Sequence, residues 1–264
     1  MAVDEALLEV CHQPTLRFYS WQPAALSLGC FQQARTVDFA ACQRHAIDVV
    51  RRPTGGRAIL HAQELTYSIM LPPQHPLTKV SVAESYRVLS GGLLRGLAIL
   101  GLRAELARPS AGFQADHSER QDEEGLGAAC FDAPSWYELT VNGYKVVGSA
   151  QVRRRGALLQ HGSIPLVLEP IRLYGLLRFR NERNRERAVA HFSQSAAGLA
   201  QLVQRELSGQ QVASALVQGW QEALKVRITP GSLIDQELQV ASRLEDKHGS
   251  EAWVVQRRWE EPES

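Results

Sequence analysis

The sequence is poor in the features that define most specialised chains. Its four cysteines, Cys11, Cys30, Cys42 and Cys130, form no CxxC pair, which leaves no zinc ribbon and no disulfide framework. No apolar run approaches the ~20 residues that cross a bilayer. Asp4 and Glu5 follow Met1 at once, so no signal peptide is expected, and the reducing cytoplasm is the expected compartment. Net charge is only +1, which gives no global case for nucleic acid or a membrane surface. Neither GxxxxGK(S/T) nor GxGxxG occurs, so a nucleotide phosphate loop is not supported. There is no internal repeat, no low-complexity tract and no linker between composition regimes.

What is present reads as mixed α/β. The chain has 264 residues, 44% of them hydrophobic, enough for a sizeable core. "VDEALLEVC" has helical spacing; "TLRFYSW" and "AALSLGCF" are strand-like. "DFAACQRHAI" predicts a helix capped by Asp38, and "SVAESYRVLSGGLLRGLAILGL" a long helix opening on a Ser81–Glu84 capping box. "DVVRR", "AILH" and "ELTYSIML" are strands, with the loop "PTGGR" between the first two. Residues 107–129 are polar and Gly-rich without periodicity, a long loop of the functional or disordered kind. From about residue 169 onward the chain reads as helical. The expectation is one α+β domain over 1–264, with a core of about 1–205 and a helical C-terminal part of about 206–256.

Asn142-Gly143 is a strong hairpin signal. A two-residue loop sets Val141 against Tyr144, Thr140 against Lys145 and Glu138 against Val147. Alternation then puts Tyr137, Leu139, Val141, Tyr144 and Val146 on an apolar core face, and Glu138, Thr140, Lys145, Val147 and Ser149 on the other. Lys145 reads either as a solvated lysine on a half-exposed sheet or as a cation lining a cleft. Glu138, diagonal to it, could hold its ammonium. Cys130 reads either as a small buried hydrophobe or as a thiol activated by a nearby cation such as Lys145. His61 and His161 each read as satisfied core histidines or as site residues. Gly55 and Gly56 permit a turn or a close backbone approach to a ligand. "RFRNERNRER" reads as a solvated helix end in preference to a dock for nucleic acid or for an acidic carrier-protein surface; few aromatics interleave with its arginines.

"RRPTGGRAILHAQELTYS", "CFDAPSWYE", "NGYKVVGSAQ" and "LQHGSI" together resemble the biotin/lipoate ligase-type catalytic fold, and within it the octanoyltransferases of the lipoate-ligase-like branch. The resemblance covers nearly the whole chain, and members usually carry a short strand ahead of the "MAVDEALLE" helix. It implies a mixed β-sheet flanked by helices. It also implies octanoyl transfer from octanoyl-acyl carrier protein, through a cysteine thioester, to a lysine of a lipoyl-domain protein such as the glycine-cleavage H protein. Carried over by motif, Cys130 is the nucleophile and Lys145 lowers its pKa. Arg52, Gly55, Gly56, His61, Ser149, His161 and Gly162 would bind substrate. Neither a metal nor a cofactor is implied, nor a nucleic-acid or membrane partner. The alternatives are an ATP-dependent lipoate–protein ligase and an octanoyl amidotransferase between lipoyl domains. Against the ligase stand Arg57, where ligases commonly have a third glycine, and "HAQEL", which lacks the His-Asp-x-Gly-Asn run. The accessory C-terminal domain of many ligases is also missing.

Overall fold

A computed structural model describes residues 1–107 and 138–259. The elements run α1 (Ala2–Val10), β1 (Thr15–Tyr19), β2 (Ala25–Leu28), α2 (Phe39–Arg44), β3 (Asp48–Arg51), β4 (Ile59–His61), β5 (Glu64–Leu71), α3 (Val82–Ile99) and β6 (Ala104–Ala107). Beyond residue 137 come β7 (Glu138–Val141), β8 (Tyr144–Arg154), β9 (Ala157–Pro165), α4 (Pro170–Gly175), α5 (Glu182–Ser195), α6 (Leu199–Val203), α7 (Gly209–Leu224), α8 (Asp235–Gly249) and α9 (Glu251–Val254). Cys130, Tyr137 and nearly all of the long loop lie outside the described residues.

Two tight turns build the larger sheet. Asn142 and Gly143 sit at φ 50° and 83°, Arg155 and Gly156 at φ 49° and 83°. Such left-handed pairs match the twist of the strands they join. The six-stranded sheet has the order β1-β5-β9-β8-β7-β6 and is antiparallel throughout. A three-stranded sheet, β3-β2-β4, supplies the parallel pairing that makes the β structure mixed.

The expected hairpin register holds for Val141 with Tyr144 and Thr140 with Lys145, and then changes. Val147 faces Leu139, not Glu138, because the ladder shifts between Leu139 and Thr140. One extra residue on β8, Val146, is accommodated as a bulge. Consecutive Val146 and Val147 are both buried as a result. Tyr144, expected in the core, is 37% exposed, since it closes the turn at the sheet's rim.

The main core lies between the large sheet and the helices α3 and α7. Leu207, Val212, Leu216 and Trp220 belong to the same apolar cluster as Leu65, Tyr67, Leu89, Leu139 and Ile164. The indole of Trp220 donates to the Leu89 carbonyl at 2.8 Å. A second cluster joins β2 and α2 to α4 and α5. Asp38 caps α2 as expected, accepting from the Ala41 amide. Ser81 caps α3, but Glu84 turns to Arg87, leaving the expected capping box half made. The arginine run begins α5, which is capped by Asn181 and buries Ala188 and Phe192; its charges sit on the solvated side. No helix among the described residues is long and apolar enough to cross a membrane.

The α3–α7 crossing is a backbone contact. A Cβ at Gly219 would lie 2.4 Å from the Gly92 carbonyl oxygen and the Gly96 nitrogen, whereas one at Gly91 would meet only Ala223 at 3.7 Å. Gly219→Ala is expected to lower unfolding free energy by about 1–3 kcal/mol through overpacking. Gly91→Ala is expected to be neutral or stabilising, by up to about 1 kcal/mol, through helix propensity. Urea unfolding of the two variants checks the contrast.

Candidate active site

The adjacent arginines of "RRPTGGR" divide two tasks. Arg51 is fully buried and points away from the loop. Its guanidinium donates to the carbonyls of Gly29 (2.6 Å), Gln32 (2.7 Å) and Val254 (2.7 Å). That ties the C-terminal helix α9 to the turn after β2. Burial, and then the charge of Arg257, lowers its pKa to about 10. Arg52 folds back over its own loop, donating to the carbonyls of Gly55 (3.0 Å) and Arg57 (2.7 Å) and to Ser27 Oγ (3.1 Å). Arg52 therefore fixes the shape of the loop. Gly56 sits at φ 96°, and its carbonyl oxygen occupies the place where a Cβ on Gly29 would stand, 1.8 Å away. Gly55 faces open space, with only the Phe31 ring, at 3.9 Å, within reach of a Cβ there.

Two buried carboxylate–imidazole–hydroxyl chains hold this loop and the small sheet against the large sheet. In the first, Thr54 Oγ1 is 2.6 Å from His161 Nε2, and His161 Nδ1 is 3.5 Å from Asp4 Oδ2. Asp4 also accepts from Arg17, Tyr19 and Ser68 at 2.7–2.9 Å. Burial alone would raise its pKa, but the His161 hydrogen bond and surrounding positive charge, Arg17 included, hold it well below the carboxylate range. Burial lowers the pKa of His161 more than Asp4 raises it, which favours the neutral ring; in that form Nδ1–H donates to Asp4 and Nε2 accepts from Thr54. In the second chain Arg52 donates to Ser27 Oγ, Ser27 Oγ lies 2.8 Å from His61 Nε2, and His61 Nδ1 lies 3.2 Å from Glu64 Oε1. The same Glu64 oxygen accepts from Thr66 at 2.5 Å. Trp21 stacks on His61 with centroids 4.4 Å apart and donates to Thr66.

The bulge in β8 sorts the remaining residues by face. Val147 aligns with Leu139 and Ser149 with Gly162 and Tyr67, and these side chains point at the α3–α7 core. Lys145 sits on the other side of the bulge. It therefore shares a face with His161, Ser163, Thr66 and Ser68, because a one-residue slip exchanges the two faces of a strand. Ser149 Oγ bonds the Tyr67 hydroxyl at 2.7 Å. Gly162 is a glycine because a Cβ there would lie 2.6 Å from the Tyr67 ring. The structure thus separates Ser149 and Gly162 from the histidines, and brings Arg52, Gly55, His61 and His161 together around the loop. Lys145 is only 4% exposed, and its Nζ donates to Glu138 Oε1 at 2.6 Å, the pairing expected from the hairpin. Its carbonyl accepts from the Ala197 amide at 3.1 Å, so its backbone is held on both sides.

Sequence reading missed Asp4, Ser27, Thr54 and Glu64. Asp4 carried a usable signal: paired acids inside an apolar helix must find partners when buried. Ser27 and Thr54 carried none, as short hydroxyl residues are common in strands and turns.

A family model described as the lipoyl protein ligase A/B catalytic domain matches residues 1–221, and the chain belongs to that family. Among curated proteins it is similar to the octanoyltransferase LipM of Kyrpidia tusciae, at 46% identity over 96% of this chain and 92% of the relative. The octanoyltransferase LipM of Bacillus subtilis is 40% identical over 97% and 93%. Of solved structures, a bi-partite lipoate protein ligase from Thermoplasma acidophilum superposes with a TM-score of 0.79 at 22% identity, covering 98% of this chain and 92% of that one. Lipoate-protein ligase A bound with ATP superposes at 0.74 with 26% identity, covering 96% and 92%.

The buried neutral His161 makes stability depend on pH. Its folded pKa is lowered from an ordinary 6.5, so below that pH the unfolded chain binds a proton that the folded chain resists. Its contribution is complete above pH 6.5 and is lost as pH falls toward the lowered value. His248 shifts the same way. Urea unfolding between pH 7 and 5 is expected to show stability falling on acidification. His161→Gln, which keeps a donor and an acceptor, is expected to flatten that slope by up to about 1.4 kcal/mol per pH unit. An unchanged slope would refute the assignment of a neutral His161.

Proposed function

We propose that this protein is an octanoyltransferase of lipoate biosynthesis, moving octanoyl from octanoyl-acyl carrier protein to a lysine of a lipoyl-domain protein such as the glycine-cleavage H protein, with Cys130 carrying the acyl group as a thioester. The observation that carries this reading is full-length likeness to octanoyltransferases at 40–46% identity. The cysteines support it from the other side. Burial raises the pKa of Cys11 and Cys30, and pushes Cys42 up to about 11. At Cys30 burial outweighs the nearby guanidiniums of Arg154, Arg52, Arg51 and Arg257. None of the three is poised as a thiolate, the form that attacks a thioester.

In this mechanism the Cys130 thiolate attacks the donor's thioester carbonyl, and the carrier's thiolate leaves. The acceptor amine then attacks the enzyme thioester, the C–N bond forms, and the Cys130 thiolate leaves. Lys145, a cation in a largely dry setting, favours thiolate over thiol and takes part in proton transfer at the second step. Glu138 holds its ammonium in place. The same chemistry serves amidotransfer, which differs only in the donor. An ATP-dependent ligase would need no protein thioester. The cytoplasm is the compartment in which such a thiol stays reduced.

Intact-mass measurement after incubation with octanoyl-acyl carrier protein, with and without ATP, tests the reading. An ATP-independent octanoyl adduct is expected on wild type and on Cys30→Ser, and none on Cys130→Ser, which should fold normally and lose transfer. Full transfer by Cys130→Ser would reject the covalent route.

Lys145 and the glycine loop give graded outcomes. Lys145→Arg keeps the charge without the proton-transfer role, so it is expected to form the thioester better than it completes the transfer. Lys145→Ala is expected to react more slowly with iodoacetamide at neutral pH, with its rate–pH curve displaced upward; an unshifted curve would make Lys145 purely structural. Gly55 tests the acyl channel better than Gly56, whose positive φ strains any side chain. Gly55→Val is expected to depress octanoyl use more than use of shorter acyl donors, since each buried methylene is worth roughly 0.8 kcal/mol. Equal loss at all chain lengths would place Gly55 outside the channel.

A further inference from the structure

On the histidine face of the large sheet, between β4, β9 and α5, lies a small cavity of about 30 Å³ of internal space. That is room for about two non-hydrogen atoms, since a water needs on the order of 10–15 Å³ by this measure. Most of its wall is apolar, with Ile59, Leu168, Leu173 and Phe192 among the lining residues. Two lining residues are polar and almost fully buried: Glu64 at 6% exposure and Ser163 at 2%. Among the described residues, Glu64 Oε2 and Ser163 Oγ have no hydrogen-bond partner. The other Glu64 oxygen is already taken by Thr66 and His61, which fix the carboxylate.

An unpartnered carboxylate oxygen in an apolar wall is costly, and the cost is relieved by a cationic donor. The site therefore selects by charge and by shape. It repels a phosphate or carboxylate, and it offers two acceptors to a group with at least two N–H donors. We infer that the cavity is a subsite for a primary alkylammonium, and that it receives the CH₂–NH₃⁺ end of the acceptor lysine, one N–H donating to Glu64 Oε2 and another to Ser163 Oγ. The assignment to the acceptor rests on the octanoyl-transfer reading above. Two geometric facts favour it. Ser163 is opposite Gly148, and the β8 bulge puts Lys145 on the same face about two ladder steps away, roughly 7 Å along the strand. The cavity also shares Glu64, Gln63, Ala62 and Val167 with a broad surface groove of about 1090 Å³, an approach for a lysine presented by another protein.

Two variants and a small amine test this. Glu64→Gln keeps the shape and removes the charge; Ser163→Ala removes an oxygen that has no other described partner. First, without any donor, n-butylamine is expected to raise the melting temperature of wild type and not of either variant. n-Butyltrimethylammonium, with the charge but no N–H, is expected to have no effect. Second, on protein preloaded with octanoyl, aminolysis of the thioester by n-butylamine at fixed pH is expected to slow about tenfold or more in each variant. The KM for an apo-lipoyl domain should rise by a similar factor. Melting shifts confined to wild type support the subsite whether or not a thioester forms, so a missing thioester would count against octanoyl transfer alone. The subsite is overturned if n-butylamine stabilises all three proteins equally or none. Its assignment to the acceptor is overturned if both variants aminolyse at the wild-type rate, as expected were the cavity to hold only water.

Discussion

Two adjacent buried carboxylates on the first helix, Asp4 and Glu5, are the constraint from which the rest of the structure follows. Both are essentially without solvent contact. A buried carboxylate is tolerated only when several donors meet it. Neighbours on a helix point about 100° apart, so the two side chains reach different parts of the molecule. Asp4 gathers Arg17, Tyr19, Ser68 and His161. Glu5 gathers Arg154, Lys247 and His248, and despite burial its pKa falls to about 2, chiefly through hydrogen bonds from His248 and Lys247. Through His161 the first network ends on Thr54 in the glycine loop. Through His248, 3.2 Å from the Arg51 carbonyl, the second ends at the start of the same loop. One helix thus holds the loop from two directions and joins the C-terminal helices to the site.

The loop is rigid for a further reason. Arg51 and Arg52 direct their guanidiniums mostly at backbone carbonyls, which a neutral side chain would leave unsatisfied or solvent-filled. A loop held this way keeps one shape without the help of a ligand, and preorganisation of that kind lowers the entropic cost of any binding it takes part in. The ATP-bound ligase has the same fold at a TM-score of 0.74, so the chemistry that separates acyl transfer from adenylation lies in side chains. Glu64 stands at this point of the fold with one oxygen held by Thr66 and His61 and the other facing no described donor.

Much of this was written in local sequence. Asn142-Gly143 specified a turn and the pairing of Lys145 with Thr140, because only a few residues tolerate φ > 0 twice in a row. Asp38 and Ser81 specified helix starts, and the alternating apolar residues of "ELTYSIML" specified a strand. The approach of Glu138 to Lys145 was legible because it spans seven residues within one hairpin. What was not legible was which face each residue would take. A single inserted residue at the β8 bulge reverses the alternation, moves Lys145 to the side of His161, and turns Ser149 to the core. Bulges respond to how a strand packs on both neighbours, and no local pattern encodes that. The partners of Asp4, Glu5, Thr54 and Ser27 lie up to 243 residues away. Sequence by itself determined the elements, the turns and the family; tertiary structure alone decided which buried charges meet, because their pairing is set by helix and sheet packing between segments that share no local signal.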